Sequence, residues 1–145
     1  MLKVVLDTNV FVSSLLVHAG QPAQVLDAWR SRRYLLITCP SIVAEIRATV
    51  AYPRIRKKYA IADEDLEQLV HLLEQDALLV PGQATVAGTV PPDPADGCVL
   101  ACAIEAQADL IVSGDHHLLN LEACQGIPIV TVRQFWQRLE SETRE

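Results

Sequence analysis

The chain has 145 residues, half of them hydrophobic, with a formal net charge of −6. That is the size of one ordinary domain with an ample core. No apolar run approaches the roughly 18 residues of a membrane span, and the acidic balance excludes broad electrostatic binding to nucleic acid while leaving local basic faces open.

Leu2-Lys3-Val4-Val5-Leu6 reads as a strand buried on both faces, and Asp7 stands where it should end. In an open parallel sheet, ligands bind beyond the carboxyl ends of the strands, so this carboxylate is aimed at a functional position. The early Asp7 also breaks the order of a signal peptide, so a soluble, cytoplasmic protein is expected. Gly20-Gln21-Pro22 interrupts the chain. Val25, Leu26 and Trp29 then predict an amphipathic helix over 22–33, with Arg30, Arg32 and Arg33 in its last turn. A second short strand follows over 34–38. Ser41 is the expected N-cap of the next helix, whose stripe is Ile42, Val43, Ile46 and Val50 and which Pro53 should end. Glu45 falls on the margin of that stripe, where a carboxylate can point into a cleft.

Residues 63–78 carry the strongest helical pattern, opened by Asp63-Glu64-Asp65 and faced by Leu66, Leu69, Val70, Leu72 and Leu73, with His71 packed or half-exposed among them. Leu78-Leu79-Val80 is a candidate strand, and 81–92, rich in Gly and Pro, a long loop. Asp93-Pro94 signals a helix start, and Asp96 lies in the first turn of a helix that is apolar nearly all round. Asp109 to Asp115 repeats the opening pattern of buried strand followed by Asp. A short helix over 116–122 should follow, then a strand over 127–130, placed at an edge by Pro128. Thr131 and Gln134 form a capping box for a last helix through Phe135, Trp136 and Leu139. The alternation predicts an α/β domain with a parallel sheet and right-handed crossovers over 1–138, and a polar tail over 139–145. Cys39, Cys98, Cys102 and Cys124 form no Cys-x-x-Cys pair and read as small buried groups.

Four acids therefore recur in related settings: Asp7, Glu45, Asp96 and Asp115. If they converge, mutual repulsion must be offset by protons or by divalent cations. Hard oxygen donors without supporting His or Cys favour Mg²⁺ or Mn²⁺, one or two ions, and such a centre suits phosphodiester hydrolysis. His116 and His117 are adjacent and point apart, so they do not easily share one ion. Two basic clusters, Arg30 to Arg33 and Arg47 with Arg54, Arg56, Lys57 and Lys58, are either substrate contacts or solvated surface.

The motifs Val5-Leu6-Asp7-Thr8-Asn9-Val10, Glu45, Asp93-Pro94-Ala95-Asp96 and Ala108 to Asp115 together resemble the PIN-domain family over about residues 2–137. They are most similar to bacterial PIN proteins that act as toxins of toxin–antitoxin systems. The resemblance implies a three-layer α/β/α sandwich with a central parallel sheet and a metal-dependent endoribonuclease centred on Asp7, Glu45, Asp96 and Asp115. It gives Asn9 and Ser113 supporting hydrogen bonds and makes Asp93 an auxiliary metal contact or an N-cap. It also implies an RNA substrate, a small antitoxin and a homodimer. The chain departs from it at Gly97 and Cys98, where relatives often carry an acid and a Lys. A catalytically weak PIN fold that binds RNA or protein is the competing reading. A phosphotransfer enzyme is disfavoured because Asn9 replaces the second Asp of an Asp-x-Asp nucleophile motif.

Overall fold

Val4, Val5 and Leu6 have no exposed surface, as a strand covered on both faces requires. They form β1 (Lys3–Leu6), at the centre of a sheet that also contains β2 (Leu35–Thr38), β3 (Leu78–Leu79), β4 (Leu110–Val112), β5 (Ala123–Cys124) and β6 (Ile127–Val130) in a computed structural model. The structure describes residues 1–86 and 94–143. The strand order is β3-β2-β1-β4-β6-β5. All pairings are parallel except β5 with β6. Helices cover the sheet on both sides: α1 (Thr8–Leu16), α2 (Gln21–Arg30), α3 (Pro40–Ala51), α4 (Pro53–Tyr59), α5 (Asp63–Asp76), α6 (Pro94–Ala106), α7 (His116–Leu119) and α8 (Val132–Thr143). This is the three-layer α/β/α sandwich expected, with a mostly parallel sheet.

α6 has Val99, Leu100, Cys102 and Ala103 fully buried, which explains its lack of a polar face. Tyr34 and Phe135 meet edge to face at 5.0 Å, and the Tyr34 hydroxyl donates to the Val25 carbonyl at 2.8 Å. Burial pushes the Tyr34 phenol well above its ordinary value. Thr131 and Gln134 make the predicted capping box at 2.8 and 3.1 Å. α8 continues beyond the expected domain limit, with Leu139 buried and its carbonyl held by the Arg33 guanidinium.

The segment after Asp7, for which no element was expected, is helical, as α1. Several expectations are corrected. α2 stops at Arg30, because Arg32 adopts a left-handed φ of 62°. Cys39, not Ser41, precedes the first residue of α3, since Pro40 suits the first helical position. Pro53 both follows α3 and opens α4. His71 is exposed. β6 is not an edge strand. Its paired register with β4 begins at Ile129, so the missing donor of Pro128 falls below the first rung, and two-residue β5 takes the margin. The helix-start and auxiliary-ligand expectations for Asp93 lie outside the described residues, as does the second half of the predicted 81–92 loop.

Candidate metal centre

The chain runs from β1 to β2 and β3 on one side and reaches β4 and β6 on the other, so the strand order reverses between β1 and β4. A crevice opens at such a reversal beyond the carboxyl ends of the two strands. Asp7 and Ser113 are the residues that leave β1 and β4 there. The Asp7 amide donates to the Val112 carbonyl at 2.9 Å, which puts both exits at one level. Asp7 is 4% exposed, and its Oδ2 accepts a hydrogen bond from the Ser113 hydroxyl at 2.7 Å. The same hydroxyl oxygen accepts from the Asp115 amide at 2.9 Å. Ser113 is thus a joint between two carboxylate-bearing segments. Asp115 is half-buried and caps α7, its Oδ1 accepting from the His117 amide at 2.9 Å.

Asp96 enters from above the sheet. It lies in the first turn of α6, where free backbone N–H groups favour negative charge, and is 4% exposed. One carboxylate oxygen each from Asp7, Asp96 and Asp115 lie within 4.8 Å of one another. At an effective dielectric near 20, each pair of charges at that spacing costs about 3.5 kcal/mol. A divalent cation removes that repulsion, and three carboxylates with no thiol or imidazole among them are the donor set of a hard cation. The residues therefore fit Mg²⁺ or Mn²⁺.

Three of the four predicted acids are brought together. Glu45 is exposed on α3 and lies outside the trio, although α3 starts at the carboxyl end of neighbouring β2. The Ser113 hydroxyl donates to Asp7, while Asn9 is exposed in the first turn of α1. His116 and His117 are exposed and stand apart from the cluster. Among the basic candidates, Arg47 is paired with Glu67, and Arg56 with Asp63 at 2.8 Å. Arg33 packs over Trp136 at 5.8 Å. Sequence reasoning missed Thr8 and Thr38, both buried at carboxyl ends of central strands, since nothing but position distinguishes them. It also missed a thiol pair. Buried Cys39 and Cys102 are hydrogen-bonded to each other; the Cys102 thiol and the Ile42 and Ser41 amides favour the Cys39 thiolate against its burial, and the Cys102 thiol is pushed up by Cys39 and by burial.

A mostly parallel sheet that gathers three carboxylates at its strand-order reversal defines a domain of the PIN type. Residues 3–117 match the PIN domain family, and the chain belongs to it. Uncharacterized protein MJ1680 of Methanocaldococcus jannaschii is 31% identical over 120 residues, covering 83% of this chain and 75% of that protein. VapBC2 from Rickettsia felis, bound to a DNA fragment from its promoter, has a chain of similar fold with TM-score 0.56 and 13% identity, covering 89% of this chain and 98% of its own. FitAB bound to an IR36 DNA fragment contributes another, with TM-score 0.53, 17% identity and coverage of 89% and 94%.

Proposed function

We propose that this protein is a metal-dependent endoribonuclease and the toxin of a toxin–antitoxin pair. PIN domains are generally nucleases, and the observation that carries the reading is the meeting of Asp7, Asp96 and Asp115 within 4.8 Å. These three would hold Mg²⁺ or Mn²⁺, one ion or two. When bound, the metal supplies an activated water and neutralises charge developing on the phosphodiester. Asp7 and Asp96, nearly buried, have rotamers limited by packing, so the ligand oxygens are arranged before the ion arrives. Ser113 fixes the separation of Asp7 and Asp115 through its bridging hydroxyl. Glu45 is assigned as an outer carboxylate, Asn9 as a polar contact at the mouth, and Asp93 as an auxiliary ligand. Arg47, Arg54, Arg56, Lys57 and Lys58 are assigned to substrate phosphates.

The similar folds in the VapBC2 and FitAB structures support a small antitoxin as partner. A homodimer and a cytoplasmic location complete the reading; among the described residues, no helix is long and apolar enough to cross a membrane. The exposed position of Glu45 favours one second reading, a weakly active or inactive PIN module that binds RNA or protein. Titrating Mg²⁺ or Mn²⁺ into wild type and Asp7→Asn with a fluorescent RNA separates the two. Metal-dependent cleavage in wild type, lowered roughly 100-fold or more in the variant, is expected. Binding without cleavage at any metal concentration sinks the nuclease.

A further inference from the structure

The basic run Arg30-Ser31-Arg32-Arg33 is not explained by the metal centre. It lies between the end of α2 and the start of β2, at the amino-terminal ends of the strands, whereas the acids gather beyond the carboxyl ends. A four-residue strand, about 13 Å long, separates the two levels. Arg33 is used by the fold: its guanidinium donates to the Leu139 carbonyl and packs over Trp136. Arg30 and Arg32 are exposed, and among the described residues their side chains have no ion pair or hydrogen bond. Arg32 also holds a left-handed φ of 62° at a helix end, where glycine is the usual residue. A long cation therefore stands at a position whose backbone disfavours any side chain.

Arg30 and Arg32 line one cleft of about 420 Å³. Trp29 of α2, Leu35 of β2 and Leu72 of α5 supply apolar wall, and Leu35 is left 47% exposed there. Asp76, the last residue of α5, lines the cleft too and has no cation paired with it among the described residues. The cations thus come from the end of one helix and the acid from the end of another. A cavity of this size takes one small molecule. Two guanidiniums offer more donors than a carboxylate can accept and suit the oxygens of a phosphate monoester. The apolar wall suits a flat ring system. Asp76 only accepts, so the ligand brings hydroxyl or amino donors to it, which a lipid tail does not have. We propose that this cleft binds a nucleoside monophosphate, with its phosphate on Arg30 and Arg32, its base against Leu35 and Leu72, and its sugar hydroxyls donating to Asp76. The site needs no metal and does not depend on the ribonuclease reading.

The test is isothermal titration of adenosine monophosphate into the full-length protein in chelator, so that no cation bridges phosphate to Asp7, Asp96 or Asp115. The nucleotide should bind about tenfold or more tightly than either adenosine or inorganic phosphate, since each carries only half of the contacts. Arg30→Gln and Arg32→Gln should each weaken it about tenfold, leaving adenosine unchanged. Arg32→Gly should lose the same affinity yet melt no lower than wild type, because glycine relieves the left-handed backbone. Leu35→Asn should weaken the nucleotide several-fold and leave inorganic phosphate unchanged. Nucleotide binding no tighter than that of inorganic phosphate overturns the proposal, since the arginines then hold any anion. So does wild-type affinity in both Arg30→Gln and Arg32→Gln. If a peptide of alternating Glu and Leu binds more tightly than the nucleotide and is lost in those variants, the cleft receives an acidic protein segment and the proposal is again overturned.

Discussion

The carboxylate cluster and the α3–α4–α5 arm both assemble charges, but from opposite sides of the burial boundary. Asp7 and Asp96 are 4% exposed and, with Asp115, bring three carboxylate oxygens within 4.8 Å of one another, where like charges repel. Arg47, Glu67, Arg56 and Asp63 face opposite charge in solvent, where water and salt screen most of the attraction. The lesson is that the unfavourable arrangement is the one the core is built to hold. Surface pairing decorates an arm, whereas the acids are locked by a sheet reversal, a helix start and one serine.

That contrast can be broken most severely at Asp96. Asp96→Asn should lower metal-dependent RNA cleavage by roughly 10²–10³-fold, read by initial rates. It should also raise the metal-free melting temperature by about 5 °C, since one repulsive partner is gone. In wild type, Mn²⁺ should raise the melting temperature and chelator reverse it, a response the variant lacks. A variant that melts no higher than wild type in chelator would mean that the acids do not strain the fold.

Ser113→Ala comes next. It removes the hydroxyl that serves both Asp7 and the Asp115 amide, and urea unfolding should show a loss of about 2 kcal/mol. Gly97→Ala sharpens the comparison from the stabilising side. A Cβ there meets nothing within 4 Å, so removing a poor helix former beside Asp96 should add about 0.5–1 kcal/mol. At the bottom is Glu67→Gln on the arm. The Arg47 guanidinium holds the Glu67 carboxyl below its usual range, so whatever the pair contributes is present above the ordinary Glu value, about 4.3, and fades as pH falls. With both side chains solvated, melting temperatures of the variant and wild type should agree within about a degree at pH 7.

What could be read in advance follows the same boundary. β1, β4 and α6 were legible because burial on all sides leaves an uninterrupted apolar run, and the acids at their ends stand out against it. α1 was not legible. Its Thr8-Asn9-Val10-Phe11-Val12 start is rich in β-branched residues, and no side-chain cap marks the N-terminus. α4 was hidden for the opposite reason, since a helix that buries nothing has no stripe to find. Glu45 was assigned from its angle on α3 and from the family resemblance, and neither says how far along its helix a residue stands from the strand ends. Pro128 misled because a proline also fits an interior strand when it precedes the first rung on one side, here the side of β4.

Both margins of the sheet end in strands two residues long, β3 and β5. An incoming strand would find only a couple of rungs at either side, too few to template the ribbon-like growth by which exposed sheet edges polymerise. A chain this rich in Val, Ile and Leu stays clear of that fate by stopping its ladders short. Any self-association is thereby directed to helices and loops, where side chains rather than backbone amides choose the neighbour.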